Sequence, residues 1–367
     1  LVVELILTVP DRQELNLRGM RMVWRDNRAT AIAGMRARGV KAYPFIPPKE
    51  FGYGDSGPVA STVPLIPLGG ISGVPTLLCN ESGTDVVYVA DELGFNNPAG
   101  TWDIRPMQVA LIGDSFVHGE CVSGEEQLTA LIRRRAPGTV SVGVAGAGPL
   151  SELAALREYL AEVKPLRVVW FFYEGNDLED LAAEARSPMT RYESPGFSQN
   201  LVSRRRAIDS LLSRYADSLV GAGPRHFTTR DKVQRVILLR GLRGALGLDA
   251  AGRPVTPVHD YDRFGSVLAA AKRDVESWGG KLYFAYLPER RRYDRRMAPS
   301  LGEEHDPRVV HREVMSRVAR VGVPVIDLAA VFSEHADPPS LWIWRRSHYS
   351  PEGYRIVAEK ILEAVER

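Results

Sequence analysis

The chain has 367 residues, 44% hydrophobic and 25% charged, with a formal net charge of +2. That is ordinary globular composition, enough for one large domain with an appendage, and the charge is too small to point to a nucleic-acid partner. No apolar run reaches the roughly 18 residues of a membrane-crossing helix, and no Cys/His cluster or phosphate-type glycine loop suggests a metal or nucleotide cofactor.

The chain opens "LVVELILTVP". Residues 1–9 read either as the tail of a signal or membrane anchor or as a short strand. Residues 1–105 are rich in proline and glycine, with short apolar runs, and read as an irregular N-terminal lobe. Inside it, "TDVVYVADELGF" reads as a strand and a turn.

The pattern changes over residues 106–367. "MQVALIG", "TVSVGVAG", "RVVWFFYEG", "KLYFAYLP" and "VPVIDLA" are short, nearly continuous apolar runs. Helical periodicity lies between and after them, as in "SELAALREYLAEV", "DRFGSVLAAAKRDVESW" and "EGYRIVAEKILEAV". Strands buried on both faces and alternating with helices predict a three-layer α/β/α sandwich around a mostly parallel, flavodoxin-like sheet of about five strands. Residues 183–257 interrupt the alternation with two helical stretches biased towards arginine: Arg204, Arg205, Arg206, Arg214, Arg235, Arg240 and Arg243. They read as a solvated helical insertion, or as a lid facing an anionic glycan or a membrane surface.

Ligands of such sheets bind beyond the carboxyl ends of the strands, so the residue after each apolar run is where chemistry is sought. The first run ends in Gly113-Asp114-Ser115. A serine at a strand-to-helix turn exposes its hydroxyl and its N–H, which suits a nucleophile, although a helix-capping role fits the same residue. The second ends in "VGVAGAGPL", where Gly143, Gly146 and Gly148 allow backbone to approach a ligand or simply make a turn. The third ends in "YEGNDLEDL", placing Asn176 as an amide donor or a helix cap. His348 stands just before Ser350-Pro351, the expected cap and first residue of the last helix.

Two cysteines, Cys79 and Cys121, are either free buried thiols or a disulfide. A bond between them would tie the N-terminal region to the helix after Ser115. It would close a loop of about forty residues, worth ~4 kcal/mol in the loop-entropy model.

Taken together, Gly113-Asp114-Ser115, Gly146 in "VAGAGP", Gly175-Asn176-Asp177 and His348 resemble, in that order, the four signature blocks of the SGNH (GDSL-type) hydrolases. The segment "CNESGTDVVYVADELGFNNP" also resembles the N-terminal extension of membrane-anchored bacterial members. The resemblance implies Ser115 as nucleophile and His348 as general base. It implies an oxyanion held by the Ser115 and Gly146 N–H groups and the Asn176 amide. It further implies a serine-dependent ester hydrolase or O-acyltransferase, without cofactor, acting on an exported glycan or lipid outside the cytoplasm. The protein would be tethered by its N-terminus, and a multi-span acyltransferase would be its partner if the acyl donor is supplied across the membrane. The different-class alternative is a catalytically silent subunit that binds glycan or a membrane protein.

One part departs from the family pattern. Most members carry an aspartate two or three residues before the histidine; here those positions are Arg346 and Arg345. A guanidinium cannot accept the imidazole N–H. Three readings stay open: a backbone carbonyl of Arg345 or Trp344 orients the ring, Asp337 or Asp327 substitutes, or catalysis is lost. Arg345 and Arg346 read as exposed loop charge or as a clamp for an anionic substrate group. Trp342 and Trp344 read as loop packing or as a surface for sugar or acyl chain. His118 reads as structural or pocket-lining, and Glu174 and Asp177 as groups that hold the loop around Asn176.

Overall fold

The computed structural model describes residues 28–52, 65–81, 83–221, 259–294, 306–344 and 347–366. Residues 1–9, Arg235, Arg240 and Arg243, and Arg345 and Arg346, all read from the sequence above, lie outside these.

Three short strands form a small sheet in the N-terminal lobe: β1 (Tyr43–Pro44), β2 (Pro75–Cys79) and β3 (Val86–Val89). β1 runs parallel to β2, and β3 antiparallel to it. The strand read in "TDVVYVADELGF" is β3, and it belongs to a small sheet that the lobe's composition did not suggest.

The five apolar runs become β4 (Val109–Ile112), β5 (Thr139–Ser141), β6 (Arg167–Tyr173), β7 (Lys281–Leu287) and β8 (Val325–Asp327). They form one sheet in the order β5-β4-β6-β7-β8, every neighbouring pair parallel. Side chains alternate across it, as the two-residue period of a strand requires. Ala110, Ile112, Val168, Trp170, Phe172, Leu282, Phe284 and Tyr286 face one core. Val109, Leu111, Val169, Phe171, Tyr283, Ala285 and Leu287 face the other.

Helices close both faces. On the first lie Pro149–Ala155, Tyr261–Ser277 and Pro307–Val321, burying Leu150, Leu153, Phe264, Leu268, Val314 and Val318. On the second lie Leu128–Arg133 and Pro351–Val365, burying Leu128, Ile132, Tyr354, Val357, Ile361 and Leu362. Each such side chain removed from water contributes about 1.5–3 kcal/mol. The result is the three-layer α/β/α sandwich. No helix among the described residues is long and apolar enough to cross a membrane.

The N-terminal lobe shares the first core: Tyr43, Phe45, Leu78, Tyr88 and Phe95 pack in the same cluster as Trp170 and Phe172. The insertion helix Arg205–Gly221 turns Ile208, Leu212 and Ala216 inward. Arg205 donates to the Leu93 and Gly70 carbonyls, each at 2.7 Å, and pairs with Asp209. Asp209 in turn accepts the Ser72 N–H and hydroxyl. This arginine of the basic stretch docks the insertion onto the lobe.

Candidate active site

β4 stops because Gly113 must pack closely. A Cβ there would lie 2.6 Å from Val117 Cγ2 and 3.1 Å from Phe171 Cβ. Asp114 then caps the helix Ser115–His118, its side chain accepting the Phe116 N–H at 3.0 Å. Ser115 is the first helical residue, so its N–H has no intrahelical partner.

His348 arrives from the far end of the chain on a narrow hairpin. Its arms meet at the Trp342–Tyr349 bridge, and the Ile343 N–H donates to the His348 carbonyl at 3.0 Å. Ser350 caps the last helix by accepting the Gly353 N–H, with Pro351 as its first residue. This places His348 Nε2 2.9 Å from Ser115 Oγ. The Phe116 ring packs against the imidazole, centroids 4.9 Å apart.

The other ring nitrogen faces an acid that the sequence reading did not name. His348 Nδ1 lies 3.2 Å from Glu81 Oε2, and the His348 N–H donates to the same oxygen at 3.3 Å. Glu81 stands two residues past the end of β2, and the Trp344 indole donates to its carbonyl at 2.8 Å. The candidates Asp337 and Asp327 are elsewhere. Asp337 is exposed and starts the 3-10 turn Pro338–Leu341, where its N–H donates to His335 Nδ1. Asp327 pairs with His311 at 2.9 Å and caps the helix Leu328–Ser333. The Asp327 carboxylate is already engaged by His311 and its helix cap, Asp337 sits on an exposed turn away from the imidazole, and the acid beside His348 is Glu81, delivered by the lobe. Trp344, entertained as a sugar or acyl contact, spends its indole N–H on Glu81. Its carbonyl accepts from the Ser347 hydroxyl, not from the imidazole.

A second carboxylate also went unnamed. Glu120 Oε2 lies 3.1 Å from His348 Nε2, the nitrogen that faces the serine. Burial lifts the Glu120 carboxyl to about 7, with the His348 charge pulling the other way. Burial opposes charge on His348 as well, but the Glu81 and Glu120 carboxylates outweigh it and lift the imidazole to about 9. The side chains of His348, Glu81 and Glu120 are 12%, 13% and 17% exposed, so solvent screens these charges only weakly.

Cys79 and Cys121 are joined in a disulfide, across a sequence separation of 42. Donor atoms of Glu81, Cys121 and His348 lie within 4.8 Å of one another. The Cys121 sulfur is held in the disulfide, so it offers no thiolate to a metal.

Gly146 lies in the loop after β5 with a left-handed φ of 75°, a conformation that favours glycine. The loop is pinned to the serine turn, since the Val144 N–H donates to the Gly113 carbonyl at 3.1 Å. Asn176 precedes the helix Asp177–Glu184; its amide donates to Asp180 at 2.8 Å. A hydrogen bond from Asn176 also favours the ionised form of Asp114, whose pKa burial raises. In this structure the Asn176 amide is thus turned to carboxylates beside the serine.

His118 is buried: its Nδ1 accepts the Ala145 N–H at 3.1 Å and its Nε2 faces the Tyr88 hydroxyl at 3.0 Å. Burial pushes it down to about 3, so it remains neutral and structural. Asp177 accepts the Tyr173 N–H, and Glu174 pairs with Arg292 and accepts the Tyr286 hydroxyl. Trp342 packs on Phe332 and Tyr349.

Solved structures similar to this chain include three lipases or relatives of them. The lipase/acylhydrolase from Enterococcus faecalis is 15% identical, with a TM-score of 0.40 over 71% of this chain and 95% of that one. A putative lipolytic protein of the G-D-S-L family from Desulfitobacterium hafniense is 16% identical, with a TM-score of 0.38 over 70% and 98%. A GDSL-like lipase from Bacteroides thetaiotaomicron is 13% identical, with a TM-score of 0.38 over 71% and 89%. No family model matches the chain, and no curated protein does.

Proposed function

We propose that this chain is a serine esterase of the SGNH kind, with Ser115 as nucleophile, His348 as general base and Glu81 as the acid that orients the imidazole. The observation that carries the reading is the 2.9 Å approach of His348 Nε2 to Ser115 Oγ with a carboxylate on Nδ1. Nucleophile, base and orienting acid in series are the recurring arrangement for acyl transfer.

In the reaction, Nε2 of the neutral imidazole takes the Ser115 hydroxyl proton as Oγ attacks the ester carbonyl carbon. Negative charge collects on the carbonyl oxygen, where the Ser115 and Gly146 N–H groups and the Asn176 amide stabilise it. The C–O bond to the alcohol then breaks, and Nε2–H protonates the leaving alkoxide. Water repeats the steps on the acyl-serine and releases the acid. If a sugar hydroxyl replaces that water, the product is a new ester and the enzyme is an O-acyltransferase. We place the substrate among acyl esters of exported glycans or lipids, outside the cytoplasm. The disulfide supports that compartment, since such bonds persist in oxidising surroundings. A membrane acyltransferase would be the partner if the acyl donor crosses a membrane.

A second reading, a silent subunit that binds glycan or a membrane protein, draws support from Glu120. Its carboxylate competes with Ser115 for Nε2 and favours the imidazolium, which cannot act as base. A fluorophosphonate separates the two. Labelling of the wild type, lost in Ser115→Ala and strongly reduced in His348→Ala, is the expected result. A folded protein that neither labels nor cleaves short acyl esters between pH 7 and pH 10 would establish the silent subunit. Acetyl transfer to an oligosaccharide that outpaces hydrolysis would favour the transferase.

A further inference from the structure

One covalent bond joins the two chain segments that hold the imidazole. Cys79 ends β2 and Glu81 follows two residues later, while Glu120 directly precedes Cys121. Going round the ring, Glu81 meets Nδ1 at 3.2 Å, Glu120 meets Nε2 at 3.1 Å, and the sulfurs of Cys79 and Cys121 close the circuit. Strand pairing does not do this work. The β2–β3 ladder shifts register between Leu77 and Cys79, and its last pair is Cys79 with Val86. Glu81 lies beyond the ladder. On the other side, Cys121 follows the end of the helix Ser115–His118, and the Glu120 carbonyl accepts the Tyr354 hydroxyl at 2.7 Å.

We propose that the Cys79–Cys121 disulfide is a positioning device for the reaction, clamping Glu81 and Glu120 onto opposite nitrogens of His348, so that reducing it disarms the site without unfolding the domain. This rests on Ser115 and His348 being the reacting pair. Cys79 and Cys121 are buried in the first core, but most of both cores is built by the sheet and its helices. The clamp instead sets where two carboxylates stand. The charged and titratable groups acting on His348 are Glu81 from the end of β2, Glu120 from the segment before Cys121, Asp114 from the serine turn and His118 from the short helix. Arg28 acts on Glu120. Freeing the first two leaves the imidazole with the pull of Asp114 and the burial that opposes its charge.

The chemistry of opening is simple. A phosphine reductant gives two electrons to the S–S bond, water supplies two protons and one oxygen, and the products are two thiols and the phosphine oxide. The test compares oxidised wild type, phosphine-reduced wild type and the Cys79→Ala/Cys121→Ala variant, each checked for fold by circular dichroism. On loss of the bond, the NMR titration midpoint of the His348 imidazole falls by at least about one pH unit. The alkaline plateau of kcat falls at least about tenfold, and KM stays within about two-fold. Adding Glu81→Gln to the cysteine variant brings the plateau no lower than in Glu81→Gln alone, because both changes remove the same contact.

A midpoint or a plateau left unchanged in folded, reduced protein overturns the proposal, and so do losses that multiply in the combined variant. Loss of fold in both the reduced protein and the cysteine variant overturns it too, since the bond would then serve the fold. Failure of the esterase reading is separate. A wild type that never labels Ser115 removes the acyl chemistry, while the imidazole titration still reports whether the clamp exists.

Discussion

Replacing Glu120 by glutamine keeps the side chain's size and removes one of the two carboxylates that hold His348 charged. The imidazole is lifted from its ordinary 6.5 to about 9, against the penalty of burial. The folded-state value is raised, so the neutral base that the reaction needs appears only as pH rises through that value. At pH 8 a group titrating near 9 is neutral in about one molecule in ten. Glu120 contributes less to the rise than Glu81 does; a downward shift of about one unit on its removal leaves about half of the molecules neutral at pH 8, a roughly fivefold gain in the base form. Burial lifts Glu120 itself to about 7, so its charge is about half present at pH 7 and nearly complete above pH 8. The assay is the rate of short-ester hydrolysis from pH 7 to pH 10, with fluorophosphonate labelling as a second readout. Because a less basic imidazole accepts the serine proton less readily, the alkaline plateau of the variant falls while its limb moves to lower pH. A limb that stays in place, or shifts upward, would refute the assignment of Glu120 as a source of the raised imidazole.

Three further outcomes follow from the same geometry. Glu81→Gln keeps an acceptor for the Nδ1 proton but loses the charge, so the kcat plateau falls by about 10²–10⁴; Asp337→Asn, on an exposed turn, stays within about two-fold of wild type. Pre-steady-state kinetics on both variants decide this, and a collapse in the Asp337 variant would overturn the choice of acid. Asn176→Ala lowers kcat by about 10²–10³ with KM little changed if its amide serves the oxyanion; an equal loss in binding would place it in substrate recognition instead. Gly113→Ala forces a methyl into Val117 and costs about 1–3 kcal/mol in denaturant melts, and an unchanged midpoint would mean that the serine turn has room to relax.

Much of this protein is written locally. Each of the five apolar runs is a strand; those of β4, β6 and β7 lie inside the sheet, while β5 and β8 form its edges, with Val325 of β8 exposed. Ser115 and Asn176 are found because chemistry in a parallel sheet gathers where strands end, visible as the point where apolar residues stop, and His348 because it stands just before the cap of the last helix. The acid was not visible in this way. The rule of looking just before the histidine met Arg345 and Arg346, and of the nearest aspartates along the chain one is engaged by His311 and the other sits on an exposed turn. A signal did exist: a bond between Cys79 and Cys121 brings residue 81 beside the serine helix, and Glu81 is the acid two positions from that cysteine.

Periodicity and turn chemistry in the chain settled the layers and the strands and marked Ser115, Asn176 and His348 as candidates, because these depend on neighbours a few residues apart. The order β5-β4-β6-β7-β8, the lobe's own small sheet and the partner of His348 Nδ1 were decided only by the folded chain. Glu81 and His348 are 267 positions apart. No local pattern reports such an approach, since what creates it is the shared core that draws the lobe onto the sandwich and the disulfide that holds its edge against the imidazole.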